Sequence, residues 1–249
     1  MLEMWREFRA SKYRYLIPNA VTFLSMASGI SAILAAATGA LTAAGLLILA
    51  SYVLDLLDGE LARRLEATTE FGLQLDSLVD MVSLGCAPAV LAFFHLRASF
   101  QPGPALTALI WIISILYVLA GAFRLARFNL LPTKEGQTES VGLTISTGGA
   151  TLTLAILSDV ANTAEWVPDF LFFPLMLVLA LLMASRIPHP SIVWVFSRRW
   201  ANLFYMIYFA VTLLLLRLSF FNVWFLFNGG YLGITLVRAG FRSVGARGT

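Results

Sequence analysis

Charge is what this chain has least of. Acidic and basic residues together make up 12% of its 249 residues and hydrophobic ones 59%, where a soluble domain carries about 25% charged residues. A water-soluble globular domain is thereby excluded. A single cysteine, Cys86, excludes an internal disulfide and a thiolate metal cluster, and is read as a small packing residue. The two histidines, His95 and His189, are read as ordinary exposed side chains. There is no internal repeat and no low-complexity tract. The net charge of +3 reflects membrane orientation and gives no reason to invoke nucleic acid.

What is present is apolar sequence in membrane-spanning lengths. Stretches long enough to cross a hydrocarbon core of roughly 30 Å as helix occur eight times. They run from Leu16 to Ala36, Leu41 to Leu57, Leu78 to Leu96, Ala105 to Phe123, Gly142 to Val160, Phe170 to Ser185, Trp200 to Leu216 and Ser219 to Val237. The expected fold is an all-α polytopic membrane helix bundle. Before the first span, MLEMWREFRASKYRY sets Met4, Trp5 and Phe8 on one helical face and Arg6, Arg9 and Lys12 elsewhere, the pattern of a helix lying in the interface. The first span is too long for the core of a cleaved signal and is read as retained.

Lys and Arg collect on the cytoplasmic side of short loops. With the N-terminus inside, the cytoplasmic segments hold fifteen of the 17 basic residues, and the outer loops keep only Arg97 and Arg217. Both termini are therefore expected inside, in the cytoplasmic membrane.

Against this background four aspartates stand out: Asp55, Asp58, Asp76 and Asp80, within the run DLLDGELARRLEATTEFGLQLDSLVD. The first two are three apart at the cytoplasmic end of the second span, and the other two are four apart at the start of the third. Both spacings place a pair on one helix face, and the short connection makes the two spans an antiparallel hairpin. Uncompensated charge at a membrane boundary costs several kcal/mol, so these carboxylates need neutralising. Oxygen ligands suit hard divalent cations, and four carboxylates balance two of them, Mg2+ or Mn2+. Gly59, Ala62 and Gly72 leave room beside the acids for a flat or bulky group. Two bland readings compete. The acids could pair with Arg63, Arg64 or Arg124 as boundary salt bridges, or mark the ion path of a cation-coupled transporter. Clustering at one membrane face, with no matching acid in the second half, argues against the transporter.

The pattern D-x2-D-G-x2-A-R-x8-G-x3-D-x3-D resembles the signature of the CDP-alcohol phosphotransferases, met by Asp55, Asp58, Gly59, Ala62, Arg63, Gly72, Asp76 and Asp80. FGLQLDSLVDMVSLGCAPA, RLARFN and SRIPHPS look like the integral-membrane phosphatidylserine synthase branch. The likeness runs from Pro18 and Asn19 to about Ser191. Two departures show: Leu84 replaces the branch's usual phenylalanine, and Gly142, Leu143, Thr144 stand where GLP is usual. Polyprenyl transferases of the aspartate-rich membrane type fit less well, because their two acidic motifs lie far apart in the chain.

The resemblance implies a six-helix catalytic core over residues 16–190, preceded by the interfacial helix of residues 1–15 and followed by two C-terminal spans and a basic tail over 191–249. It implies CDP-diacylglycerol as donor, L-serine as acceptor, and phosphatidylserine and CMP as products. Glycerol phosphate, inositol phosphate and archaeal-lipid acceptors or donors share the motif and stay open. In the family pattern Asp55, Asp58 and Asp76 are metal ligands, and Asp80 is the general base that also touches a metal. Gly59, Ala62 and Gly72 make room for the cytidine, and Arg63 ties down the loop or a phosphate. Arg124 and Arg127 satisfy the positive-inside bias, yet their planar forks also match a serine carboxylate, with Asn129 a polar partner nearby. The family's habit of pairing implies a homodimer, among membrane lipids.

The basic-residue distribution generates a direct test. With Cys86 removed, a cysteine at Thr38 should react with an impermeant reagent from outside the cell and one at Thr68 should not. The reverse labelling pattern would invert the topology.

Overall fold

The computed structural model describes residues 14–130, 139–160 and 168–190, with isolated positions between 222 and 233. Nearly all of the interfacial segment, the last two expected spans and the side chain of His189 lie outside the described residues.

Among the described residues the helices with defined bounds are, in chain order, α1 (Leu16–Ala37), α2 (Leu41–Arg64), α3 (Glu70–Phe100), α4 (Pro104–Leu130), α5 (Ile145–Val160) and α6 (Phe172–Ala184). The first four are long and apolar enough to cross a membrane, and the last two are shorter apolar helices. Two three-residue strands, β1 (Glu139–Val141) and β2 (Pro188–Pro190), pair antiparallel with Ser140 opposite His189. The expected all-α membrane bundle holds, with this small clasp added.

Burial follows the logic of a bilayer. Large apolar side chains such as Phe23, Leu24, Leu34, Trp111, Ile112 and Leu119 are exposed, where lipid would cover them. The face that α1 turns inward carries Thr22, Ser25, Gly29, Ala32 and Ala36, and that of α2 carries Ala44, Gly45, Ile48 and Ser51. Lipid tails are as apolar as leucine, so small residues that let backbones approach, plus hydroxyl hydrogen bonds, hold membrane helices together. Ser25 and Ser51 hydroxyls lie 2.8 Å apart across the α1–α2 contact, and Ser28 donates to the Leu47 carbonyl at 2.8 Å.

The α2–α3 connection decides where the acids meet. Glu66, at φ 51°, turns the chain out of α2, and Thr69 in extended geometry caps α3, its hydroxyl accepting from the Gly72 N–H at 3.0 Å. Glu70 adds a favourable charge in the first turn. Both helices run further into the polar zone than their apolar stretches: α2 continues past Leu57 to Arg64, and α3 begins at Glu70 rather than Leu78. The aspartates therefore sit inside helical turns and are held by rigid backbone.

Immediately after Asp80, α3 widens into a π-helical turn over Met81–Cys86. It packs where side chains are smallest. Ser83 donates to the Ser25 carbonyl at 3.3 Å, and a Cβ on Gly29 would stand 2.7 Å from the Cα of Ser83. The Leu84 carbonyl presses on Gly149 of α5. Leu84, the departure from the usual phenylalanine, is fully buried in this turn. Cys86 is half-buried, in keeping with a packing role. His95 corrects the sequence reading: it is 3% exposed, on the α3 face that also buries Leu91 and Ala92.

Residues 142–144 show why the second departure is tolerated. Gly142 has φ 80°, and a Cβ there would meet the Ser185 and Met183 carbonyls, so glycine is required. Thr144 then supplies a cap, its hydroxyl accepting from the Thr147 N–H at 3.2 Å.

Close packing at the wide turn predicts that Gly149→Ala destabilises the bundle by about 1–3 kcal/mol, since the added carbon meets backbone that cannot rotate away. Gly103→Ala, with open space around it, is the matched control. Thermal unfolding in detergent should show a lowered midpoint for the first variant only; equal midpoints would discount the contact.

Candidate active site

All four aspartates converge at the ends of α2 and α3. Asp55, Asp58 and Asp76 each offer a carboxylate oxygen within 4.8 Å of the others. Asp80, one turn below Asp76, comes within hydrogen-bonding reach of Asp55 and is 8% exposed. Asp58 is 4% exposed, with Thr22 of α1 beside its carboxylate.

Two of the three arginines that a boundary salt bridge would need are engaged elsewhere. Arg63 donates to one carboxylate oxygen of Glu60 at 2.9 Å, and Arg64 to the other at 2.6 Å. Both pairs are exposed. Asp58 Oδ2 and Asp80 Oδ1 are buried with no hydrogen-bond partner among the described residues. A buried acceptor left unsatisfied costs about 1–3 kcal/mol, more when charged. Clustered carboxylates with buried oxygens left unsatisfied fit hard divalent cations, which supply positive charge directly.

Beside the acids opens a cleft of about 210 Å³, walled by Asn19, Thr22, Gly59, Ala62, Arg63, Thr69 and Gly72, with Asp58 and Asp76 at its edge. Every small residue singled out in the sequence lines it. A Cβ on Gly59 would meet only the Arg63 guanidinium, at 3.7 Å, so this wall is empty space rather than packing. In the sequence Asn19 only marks, with Pro18, where the resemblance begins, and Thr22 carries no functional reading. They reach the cleft because α1 crosses α2 through its small-residue face, and the Pro18-Asn19 pair was the one available signal.

The RLARFN segment forms the last turns of α4. Arg124 is buried, its guanidinium over the Phe128 ring at 5.1 Å, and its charge acts on Asp80. Arg127 faces the other way, donating to the Ala184 carbonyl at 3.1 Å and the Met183 carbonyl at 3.3 Å, so it closes the C-terminal end of α6. Asn129 donates to Ser77 at 3.2 Å and ties α4 to α3 one residue from Asp76. Arg124 thus stands on the Asp80 side of the site, Asn129 at the Asp76 side, and Arg127 at its flank.

The chain is similar to known proteins. The family model described as CDP-alcohol phosphatidyltransferase matches residues 15–184. A CDP-diacylglycerol–serine O-phosphatidyltransferase of Helicobacter pylori is 34% identical over 179 residues, 71% of this chain and 73% of its own. One of Methanocaldococcus jannaschii is 32% identical over 200 residues, 80% of this chain and 82% of its own. An archaetidylserine synthase of Methanothermobacter thermautotrophicus is 32% identical over 178 residues, 71% and 70% of the two chains. The matched segment spans all six described helices and ends with α6, so the carboxylate cluster, the cleft and the helices that hold them fall within it. The chain is a member of the CDP-alcohol phosphatidyltransferase family, an integral membrane transferase.

Proposed function

We propose that the protein transfers a phosphatidyl group from CDP-diacylglycerol to the hydroxyl of L-serine, releasing CMP, at the cytoplasmic face of the cell membrane. The observation that carries this reading is the buried four-carboxylate cluster beside a small-walled polar cleft, in a chain whose relatives include serine transferases on both bacterial and archaeal lipids.

Asp55, Asp58 and Asp76, with Asp80 at the edge, would hold two divalent ions, Mg2+ or Mn2+. Such ions neutralise a diphosphate and its departing CMP. Gly59, Ala62 and Gly72 give the cytidine its space in the cleft, and Arg63, at the cleft wall, would exchange its exposed pairing with Glu60 for a phosphate oxygen or secure the loop. Asp80 is assigned as the general base. It is buried beside Asp55, and there it would take the proton of the serine hydroxyl as that hydroxyl attacks the phosphorus nearest the lipid. Arg124, beside Asp80, is placed to receive the serine carboxylate in its planar fork, with Arg127 a second candidate at the flank and Asn129 a polar neighbour. Two copies would pair into a homodimer within the bilayer.

Purified protein given CDP-diacylglycerol should release CMP with serine, and not with glycerol 3-phosphate, inositol phosphate or choline. Preference for another acceptor would reassign the substrate. Excess chelator should stop turnover, and full activity in chelator would remove the cations from the mechanism.

The roles of Asp80 and Asp58 separate by kinetics. A general base supplies about 10²- to 10⁴-fold in rate, so Asp80→Asn should lower kcat by that range while donor affinity stays within a few-fold. Asp58→Asn should weaken metal and donor binding as well. Calorimetry showing equal losses for both variants would make Asp80 a ligand only.

Arg124→Lys keeps the charge and loses the fork. The serine KM should rise more than that for the donor, and more than in Arg127→Lys. Equal effects on both substrates would place Arg124 outside the acceptor site.

A further inference from the structure

A second cluster of metal-ligating side chains lies at the other end of the bundle. His95 of α3, Asp159 at the last turn of α5 and Asp169, which opens the short 3₁₀ turn before α6, each offer one ligand atom within 4.8 Å of the others. Fifteen residues of α3 separate Asp80 from His95, a rise of about 22 Å, so this cluster belongs to the opposite membrane face. None of the three residues has a part in the proposed transfer reaction.

Three observations argue against ordinary ion pairing. His95 Nε2 is buried, in a residue 3% exposed, and makes no hydrogen bond among the described residues. It nevertheless faces two carboxylate oxygens, at 3.5 Å from Asp159 and 3.6 Å from Asp169. A charge-assisted N–H···O bond is about 2.7–2.9 Å long, and a single N–H cannot point at two acceptors at once. Ligands bonded to one ion at roughly 2.0–2.1 Å stand about 3.4 Å apart in a tetrahedron, close to the separations seen.

Charge gives an independent reason. A divalent ion with a neutral imidazole and two carboxylates sums to zero, a state suited to a site away from bulk water. Asp159 also closes the C-terminal end of α5, where the helix dipole disfavours an anion and favours a cation. Phe172 packs edge-on against the imidazole, ring centres 4.8 Å apart, and fixes its plane. Asp169 alone would pass as a first-turn acid; the buried imidazole aimed at it gives it a ligand's surroundings.

The geometry points to a binding site for a divalent transition metal ion of the zinc class, formed by His95, Asp159 and Asp169, that clamps the outer ends of α3, α5 and α6 together. Imidazole with carboxylates suits zinc and its neighbours better than magnesium, which separates this site chemically from the all-oxygen cluster at the inner face.

The test uses the full chain in detergent, with the aspartate site silenced by Asp55→Asn, Asp58→Asn and Asp76→Asn together. Stripped with chelator, loaded with Zn2+ and gel-filtered, this variant should retain about one zinc per chain by elemental analysis. With Co2+ it should show visible absorption of nitrogen-containing low coordination. Adding His95→Ala should abolish both signals, and adding the isosteric Asp169→Asn should weaken zinc binding about tenfold or more while leaving the fold intact. Zinc should also raise the unfolding midpoint of the silenced variant and not of the His95→Ala form. The site is overturned if the silenced variant keeps no zinc, or if zinc content is unchanged in the Asp169→Asn and His95→Ala forms. Since serine-dependent CMP release is measured on the wild-type chain, failure here leaves the transfer reaction standing, and the reverse holds too.

Discussion

Carboxylates repel one another, and in this chain the repulsion is built in rather than avoided. At 4 Å and an effective dielectric near 20, each like-charged pair costs about 4 kcal/mol, and the cluster at the ends of α2 and α3 contains several such pairs. The helices that carry them cannot splay to relieve it. Small residues and serine hydroxyls lock α1 to α2, and the wide turn of α3 is wedged between α1 and α5. Bound positive charge would relieve the mutual repulsion, turning it into affinity for a cation. The proximity of Glu60 to Arg63 and Arg64 matters for the same reason, since it keeps the nearest flexible guanidinium groups from quenching the cluster.

Packing around the site follows from the solvent. In water the bulky apolar residues would have formed the core, but here Phe23, Leu34 and Trp111 face outward and serine, threonine and glycine face in. That inversion lets polar groups such as Asn19 and Thr22 reach the cleft from a helix whose mean composition is strongly apolar. Arg124 and Arg127, three residues apart on α4, show how one helix end divides its tasks: one guanidinium acts on Asp80, and the other closes the end of α6.

The aspartates could be read from the chain because their spacing is a local property of two helices, and charge inside apolar sequence has few innocent explanations. The start of α1 at Leu16 was legible for the same reason, since hydropathy and helix begin together there. Elsewhere hydropathy marked the hydrocarbon slab and missed the backbone. Helices α2, α3 and α4 run on through polar residues to Arg64, from Glu70 and to Leu130, because backbone hydrogen bonds do not stop at the headgroups. His95 was misread because its surroundings depend on α5 and α6, distant in sequence. Asn19 and Thr22 escaped notice because a helix–helix crossing, not a spacing, aims them at the cleft.

The π-helical turn over Met81–Cys86 has an architectural consequence. Adding about one residue to a turn advances the helix by roughly 100° of phase. The two halves of α3 therefore face the bundle on independent azimuths, like two shafts joined by an offset coupling. The upper half can aim Asp76 and Asp80 at α2 without dictating which side chains the lower half turns toward α4, α5 and α6. A straight helix would bind those two choices together, so that any change in packing at the outer face would swing the carboxylates out of line.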